Sequence, residues 1–216
     1  MKNVYFLDIN EFKKTFSYEE IYNKVSSYRK SKVDKLKFED DKWLSLGAEF
    51  LLIQGLEELD IDYSKIEIGF IENNKPVLMN CPQNLYFNLS HSGKMAMCVI
   101  SDCEVGCDIQ MMSDKENYLE IAERFFHPEE IQFLQNSKEE EKRKLFYRIW
   151  TLKESFIKAT GKGFRTPLKD FKIILENDKP KVYVNGKIEE KYQLEEKQLE
   201  NSNYKSAVCW CQENSI

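Results

Sequence analysis

The sequence lacks long apolar runs, and this limits where the protein can work. Nowhere do its 216 residues form the run of roughly 20 apolar residues that a membrane-spanning helix needs. Asp8 and Asn10 interrupt the apolar start of the chain, so no secretory signal peptide is indicated. We therefore expect a cytoplasmic protein without a membrane partner.

The sequence also lacks a strong excess of charge of one sign. The net charge is −5, although 32% of the residues are charged. This slightly acidic balance argues against nucleic acid as a partner, because phosphate backbones attract basic surfaces. With 42% hydrophobic and 13% aromatic residues, the chain can build the core of one large domain or two small ones.

Histidine is scarce, and no two cysteines have the C-x2-C spacing typical of zinc sites. Only His91 and His127 supply imidazole beside the six cysteines. Disulfides are not expected in a reducing compartment, and Cys209 and Cys211 alternate on one face of a strand-like run. We interpret the cysteines as small buried apolar residues.

Helical and strand periodicity divides the chain into two successive runs of elements. In the first run, Ser17-Tyr18-Glu19-Glu20 predicts a capping box for a helix with Ile21, Val25 and Tyr28 on one face. We also expect a second helix at 40–59, a turn at 72–76, and strands at 2–9, 66–70, 85–89 and 95–100.

The second run begins with a strand at 105–109. Pro128 suits a first helical position and Gly161 a helix end, while Asn185-Gly186 predicts a hairpin turn. We expect helices at 117–125, 128–135 and 139–160, and strands at 171–175, 181–184 and 204–211.

Three segments of the first half resemble segments of the second half in the same order. They are SLGAEFLLIQG at 45–55 with TLKESFIKATG at 151–161, ENNKP at 72–76 with ENDKP at 176–180, and KMAMC at 94–98 with KSAVC at 205–209. This order indicates an internal duplication. We predict an α+β pseudo-dimer of two similar halves, 1–103 and 104–216, in a monomeric protein.

The two copies differ in charge. Glu154 aligns with Ala48 and Lys158 with Leu52, so only the second half carries a carboxylate and an ammonium at these positions. This difference predicts a single active site, built between unlike halves.

Three segments contain residues suited to chemistry: FNLSHSG at 87–93, VGCDIQ at 105–110 and WTLKESFIK at 150–158. Asp108 and Gln110 are two apart on a strand and share a face, while Glu154 and Lys158 are four apart on a helix and are neighbours. Each segment alone also fits an ordinary polar turn, a solvated strand end or a surface ion pair.

Together the segments resemble the 4′-phosphopantetheinyl transferase superfamily, in its two-domain, Sfp-type class. That family carries a serine-histidine-serine turn, a G-h-D-h-E strand and a W-x-x-K-E-a-x-x-K helix, matched here by SHS at 90–92, GCDIQ at 106–110 and WTLKESFIK at 150–158. The resemblance extends from about residue 29 to 171. It implies transfer of the phosphopantetheine arm of coenzyme A to a serine of an acyl or peptidyl carrier protein, with release of 3′,5′-ADP.

The resemblance also implies a magnesium site. Asp108 and Glu154 match the family's metal ligands, and Gln110 stands where the family usually has a second strand carboxylate. An amide oxygen binds magnesium directly or through water, but without negative charge. Glu154 itself or a metal-bound water is the expected base for the serine proton, and Lys158 is a weaker candidate.

The resemblance assigns coenzyme A contacts to seven residues. Arg29 and Lys32 match positions that hold the 3′-phosphate, Ser90 and His91 match phosphate contacts, and Lys158 matches a lysine on the pyrophosphate. The remaining two contacts match a hydroxyl and a lysine near the nucleotide: Ser45 and Lys75. A solvated basic patch is the alternative interpretation of residues 29–32.

Residues 161–169 are expected to dock the carrier, because two glycines and a proline favour an exposed loop with the basic residues Lys162, Arg165 and Lys169. Phe164 and Leu168 would supply an apolar anchor. Two other functions remain open: a coenzyme A-binding homologue without activity, and a different magnesium-dependent phosphotransferase. No P-loop or kinase-type glycine-rich loop supports the latter.

Overall fold

The computed structural model describes residues 1–115, 117–163, 166–176, 179–199 and 203–212, and within them the chain divides into two units, Met1–Val105 and Gly106–Ile216. The first unit contains strands β1 to β5 and helices α1 to α4. In chain order these are β1 Lys2–Asp8, α1 Ile9–Thr15, α2 Tyr18–Lys24, α3 Ser27–Val33, α4 Glu39–Glu57, β2 Glu67–Phe70, β3 Pro76–Met79, β4 Tyr86–Ser92 and β5 Met95–Ser101.

The core of the first unit lies between α4 and an antiparallel sheet of order β1-β5-β4. Leu46, Leu52 and Leu56 of α4 and Ile100 of β5 are fully buried in it. A separate antiparallel hairpin joins β2 and β3. Helix α4 is buried on all sides over Trp43–Ile53, because α1, α2 and α3 pack on the faces that the sheet leaves open.

Side-chain caps divide the region before α4 more finely than the pattern predicted. Asp8 accepts a hydrogen bond from the backbone N–H of Asn10 and begins α1, so β1 ends one residue earlier than predicted. The predicted helix bearing Ile21, Val25 and Tyr28 was wrong as one element. It ends at Lys24, and the Ser26 hydroxyl caps a new helix that contains Tyr28.

The second unit repeats this plan around a longer helix. In chain order its elements are β6 Val105–Met111, α5 Tyr118–Phe125, α6 Pro128–Asn136, α7 Glu139–Thr160, β7 Phe171–Glu176, β8 Lys179–Val184, β9 Lys187–Ile188, β10 Tyr192–Lys197 and β11 Tyr204–Cys211. One sheet has the order β10-β11-β6 and another the order β7-β8-β9. Helix α7 packs on β11, the central strand, as α4 packs on β5.

Several local signals of the second half are confirmed. Pro128 is the first residue of α6, Gly161 ends α7 with a left-handed φ of 66°, and α7 and β11 have the predicted bounds. Asn185 and Gly186, with φ of 51° and 76°, form the turn from β8 to β9. Strand β10 was not predicted, because its sequence YQLEEK is largely polar and its place depends on antiparallel pairing with β11.

The two units share one topology, which confirms two similar α+β halves. In each, the last strand is central, flanked by the first strand and the preceding strand in sequence, and covered by the long helix. The repeated segments 45–55 and 151–161 lie at equivalent places on α4 and α7. Residues 177–178 of the second ENDKP segment lie outside the described residues.

Four of the six cysteines are buried, as the interpretation of small apolar residues predicted, whereas Cys81 and Cys103 are only partly buried. No helix within the described parts of the chain combines the length and apolarity needed to cross a membrane.

Candidate active site

The site begins at Gly106, where β6 lies directly against the backbone of α7. A Cβ atom at Gly106 would lie 2.3 Å from both the Ser155 carbonyl oxygen and the Ala159 backbone nitrogen, closer than real Cβ contacts allow. Only glycine therefore permits this approach of strand to helix. The approach brings the side chain of Asp108, two residues along β6, within reach of α7.

Asp108 is paired with Lys158 at the end of this strand–helix contact. The Lys158 Nζ lies 2.6 Å from Asp108 Oδ1 and also donates to the Cys107 carbonyl oxygen at 3.1 Å. The Gln110 amide donates to Asp108 Oδ2 at 3.1 Å. Asp108 is 2% exposed, so the charge of this carboxylate is buried and depends on its partners.

Glu154 lies one helical turn before Lys158 on α7 and is only partly exposed. Burial raises its pKa above the usual range, Lys158 opposes that shift, and Asp108 adds to it. Burial alone would lower the pKa of Lys158, but the combined effect of Asp108, Cys107 and Glu154 outweighs burial and raises it. Asp108, Gln110, Glu154 and Lys158, which were predicted as site residues, therefore lie together in the second unit.

Glu154 and Lys158 also line a cavity of about 570 Å³ within the second unit. Its walls are mainly apolar, formed by Phe125 of α5, Trp150 and Ile157 of α7, and residues 166–169. The charged pair thus borders a space large enough for part of a substrate.

Lys153, the residue before Glu154, forms a fully buried ion pair that sequence reasoning missed. Its Nζ lies 2.8 and 2.7 Å from the two carboxylate oxygens of Glu130 and 2.6 Å from the Phe171 carbonyl oxygen. Burial lowers the pKa of Lys153 to about 8, against the opposing effect of Glu130. The pair fixes α7 to the start of α6, where Glu130 also accepts from the His127 backbone N–H.

The available signal for this pair was the His127-Pro128-Glu129-Glu130 segment, which has the spacing of a capping box. In the structure this segment forms a capping box, with His127 as the cap. Nothing in the sequence connected it to Lys153.

In the first unit, two of the predicted nucleotide contacts touch each other. Arg29 of α3 donates from Nη1 to the Ser45 hydroxyl of α4 at 3.1 Å. Its Nε donates to Glu49 at 2.8 Å, so Arg29 is 11% exposed and held by a buried carboxylate. Lys32 is exposed, and its Nζ lies 4.7 Å from the centre of the Tyr28 ring.

The other predicted contacts lie on the strand side of the first unit. Lys75 immediately precedes β3, and its Nζ donates to the Val105 carbonyl oxygen at 3.2 Å. Ser90 and His91 were predicted on a turn but lie within β4, paired with β5 opposite Met97 and Ala96. The turn follows at Gly93, because its left-handed φ of 60° reverses the chain. Strand alternation leaves Ser90 buried and His91 exposed.

The predicted docking loop is only partly described. Gly163 and Thr166–Lys169 border the apolar cavity, whereas Phe164 and Arg165 lie outside the described residues.

The oxygen ligands in this site suit a hard cation better than zinc. Within the described parts of the chain, no three His, Cys, Asp or Glu side chains form a cluster that could hold a metal alone. Asp108, Glu154 and the Gln110 amide offer a sparse oxygen set, which fits magnesium because that ion keeps several waters and substrate oxygens.

These features define a duplicated α+β protein with one charged strand–helix site in its second half. A family model described as the 4′-phosphopantetheinyl transferase superfamily matches residues 104–209, and one described as 4′-phosphopantetheinyl transferase, N-terminal, matches 14–103. A 4′-phosphopantetheinyl transferase of Bacillus subtilis is 33% identical over 71% of this chain and 68% of its own length. The Sfp transferase of Bacillus subtilis strain 168 is 32% identical over the same shares.

A solved structure of a holo-(acyl-carrier-protein) synthase from Bacillus anthracis, in complex with CoA (3′,5′-ADP), is 16% identical over 52% of this chain and 97% of that chain, with a TM-score of 0.43. On the sequence matches, the chain belongs to the 4′-phosphopantetheinyl transferase superfamily, and within it to the Sfp type. This confirms the resemblance carried by the three motifs and the enzyme class that it implied.

Proposed function

We propose that this chain transfers 4′-phosphopantetheine from coenzyme A to a serine of an acyl or peptidyl carrier protein, with magnesium. The serine oxygen attacks the pantetheine-side phosphorus, the bond to the bridging pyrophosphate oxygen breaks, and 3′,5′-ADP leaves. The observation that carries this proposal is the strand–helix cluster of Asp108, Glu154 and Lys158 inside a family of phosphopantetheinyl transferases.

Asp108 and Glu154 would hold the magnesium ion, and Gln110 would contribute an amide oxygen directly or through water. When bound, the ion would neutralise negative charge on the pyrophosphate as it leaves. Lys158 now balances the buried Asp108 charge, and its raised pKa keeps it protonated at neutral pH. This cation can therefore pair with the pyrophosphate.

Two routes remain for the serine proton. Glu154 can accept it directly, and the raised pKa of this carboxyl favours that role. Magnesium held by Glu154 would make this carboxylate a poorer base, and the ion would then supply a water as the alternative proton acceptor. Lys158 is a weaker base because it is protonated.

The nucleotide contacts are proposed for the half at 1–103, and the metal site and carrier docking for the half at 104–216. Arg29 and Lys32 would hold the 3′-phosphate, and Arg29 already touches Ser45. The other nucleotide and phosphate contacts would be Lys75, Ser90 and His91.

Carrier docking is proposed at residues 161–169. Leu168 borders the apolar cavity beside Glu154, and Lys169 adds positive charge at the same place. Carrier proteins of this kind are acidic around the modified serine, so a basic loop with an apolar anchor suits them. We further propose a monomer that works in the cytoplasm.

Intact-mass measurement tests the reaction. The protein is incubated with coenzyme A, magnesium and an apo-carrier, and the carrier should gain one phosphopantetheine. A carrier panel that gains no mass, with coenzyme A still bound in calorimetry, would favour the inactive homologue. Phosphate release without carrier modification would favour a different phosphotransferase.

A further inference from the structure

Glu49 is a buried carboxylate to which sequence reasoning assigned no role. It is 1% exposed on α4, and three donors converge on it. Its Oε1 accepts from the Ser26 backbone N–H at 2.6 Å and from the Tyr63 hydroxyl at 2.8 Å, while its Oε2 accepts from Arg29 Nε at 2.8 Å. Both oxygens are therefore used, which is the usual condition for burying a carboxylate.

These bonds hold the Arg29 guanidinium from one side. Nε is bound by Glu49 and Nη1 by the Ser45 hydroxyl. Ser26 both caps α3 through its hydroxyl and donates its backbone N–H to Glu49, so the helix that carries Arg29 is fixed to the same carboxylate. Among the residues that the structure describes, no protein group bonds Nη2 of Arg29. The outer donors of the guanidinium are thus left for a ligand.

The buried Lys153–Glu130 pair in the second unit offers a comparison. Lys153 is fully buried, and Glu130 and the Phe171 carbonyl take up its ammonium. Arg29 instead keeps 11% of its side chain exposed and uses only part of its five N–H donors. A guanidinium held in one plane with free outer donors suits a phosphate, which it can bind through two parallel bonds.

We propose that Glu49 is a positioning residue that orients Arg29 for the 3′-phosphate of coenzyme A and thereby sets the preference for coenzyme A over dephospho-coenzyme A. This inference rests on the proposed contact between Arg29 and the 3′-phosphate. Glu49 itself would not touch the ligand.

Replacing Glu49 by glutamine distinguishes the orientation of Arg29 from the effect of the negative charge of Glu49. Only one glutamine atom is an acceptor, so the amide keeps either the two bonds at Oε1 or the single bond at Oε2. Keeping two hydrogen bonds is energetically more favourable than keeping one, so the amide oxygen should occupy the place of Oε1. The amide NH₂ then lies against the Arg29 Nε–H, where two donors face each other. Glu49→Gln should therefore release Arg29 even though it removes a negative charge near the phosphate.

The experiment is calorimetric titration of the purified protein with coenzyme A and with dephospho-coenzyme A. The measured quantity is the dissociation constant for dephospho-coenzyme A divided by that for coenzyme A, so that a larger ratio means a stronger preference for coenzyme A. Arg29→Ala should lower the preference for coenzyme A, and Glu49→Gln should lower it about tenfold, the scale of one charge-assisted hydrogen bond. Adding Glu49→Gln to Arg29→Ala should lower the preference no further, because both changes remove the same contact with the 3′-phosphate.

Tyr63→Phe is the matched control. It removes one bond to Glu49 but leaves the Glu49–Arg29 pair, so it should reduce the melting temperature without changing the ligand ratio. Glu49→Asp, which keeps the charge but shortens the reach, should also lower the ratio if the glutamine variant does not fold.

Two results would overturn the inference in different ways. In the first result, Arg29→Ala lowers the preference, but Glu49→Gln and Glu49→Asp leave it unchanged or raise it. Glu49 then only neutralises the Arg29 charge or stabilises the fold, and the contact of Arg29 with the 3′-phosphate stands. If Arg29→Ala itself leaves the preference unchanged, the proposed 3′-phosphate contact is wrong, and the positioning role fails with it.

Discussion

Asp108 is buried, and its carboxylate pairs with Lys158 and accepts a hydrogen bond from Gln110, so it is the residue whose loss should lower activity most. Asp108→Ala and Glu154→Ala should each lower turnover about 100- to 1000-fold, because charge on the leaving pyrophosphate loses its stabilisation. Transfer rates measured at saturating magnesium test this. Asp102→Ala, an exposed aspartate paired with the chain's first amino group, is the control and should keep the normal rate.

A near-normal rate for either site variant would remove that residue from the active site. Circular dichroism should accompany the Asp108 measurement, since this change also leaves Lys158 without its partner.

Gln110 occupies the place where the family usually has a carboxylate. Gln110→Glu should keep activity and lower the magnesium concentration that gives half-maximal rate, because it adds negative charge beside the metal ligands. A magnesium titration of the transfer rate measures this. An inactive glutamate variant would show that the amide has its own role, since it now donates to Asp108.

At the scale of elements, the contact of β6 with α7 should tolerate no side chain at Gly106. Gly106→Ala should destabilise the protein by about 1–3 kcal/mol or more, because its Cβ meets backbone atoms that cannot rotate away. Urea unfolding gives the free energy, and turnover should fall too, since β6 carries Asp108. At Gly186, where nothing lies within 4 Å, alanine should cost only about 1 kcal/mol from its positive φ. Equal losses at both glycines would contradict the tight packing.

The joint between α6 and α7 depends on the buried Glu130–Lys153 pair. Lys153→Met should destabilise the protein by about 3–5 kcal/mol, because it leaves the Glu130 carboxylate buried without its cation. Lys172→Met is the matched control, since its partner Glu129 is 61% exposed and such pairs contribute about 0–1 kcal/mol. Similar unfolding free energies for the two variants would show that the buried pair does not stabilise the contact between α6 and α7.

At the scale of the whole molecule, the net charge of −5 disfavours an acidic carrier unless the surface that docks the carrier is locally positive. Arg165→Glu with Lys169→Glu should raise the apparent Michaelis constant for the carrier and leave that for coenzyme A unchanged. Added salt should raise the wild-type Michaelis constant for the carrier towards that of the variant, because screening removes the same electrostatic attraction. Wild-type carrier kinetics in the double variant at low salt would place docking elsewhere.

The sequence alone determined the elements whose signals are local, and it determined the family. Helix α7, strand β11, Pro128 at a helix start and the Asn185-Gly186 turn were predicted, because caps, periodicity and turn residues act within a few positions. The duplication was readable for the same reason: each repeated segment retains its letters and its order. Motif spacing then pointed to one enzyme family.

Only the tertiary structure decided which polar residues are buried together. Glu49 and Glu130 look like surface carboxylates in the sequence, yet each is enclosed by donors from distant elements. Gly106 shows no turn signal, and its role appears only where a strand meets a helix backbone. Strand β10 likewise depends on a partner that follows it. Such features arise from long-range packing, which satisfies buried polar groups in ways that local patterns do not encode.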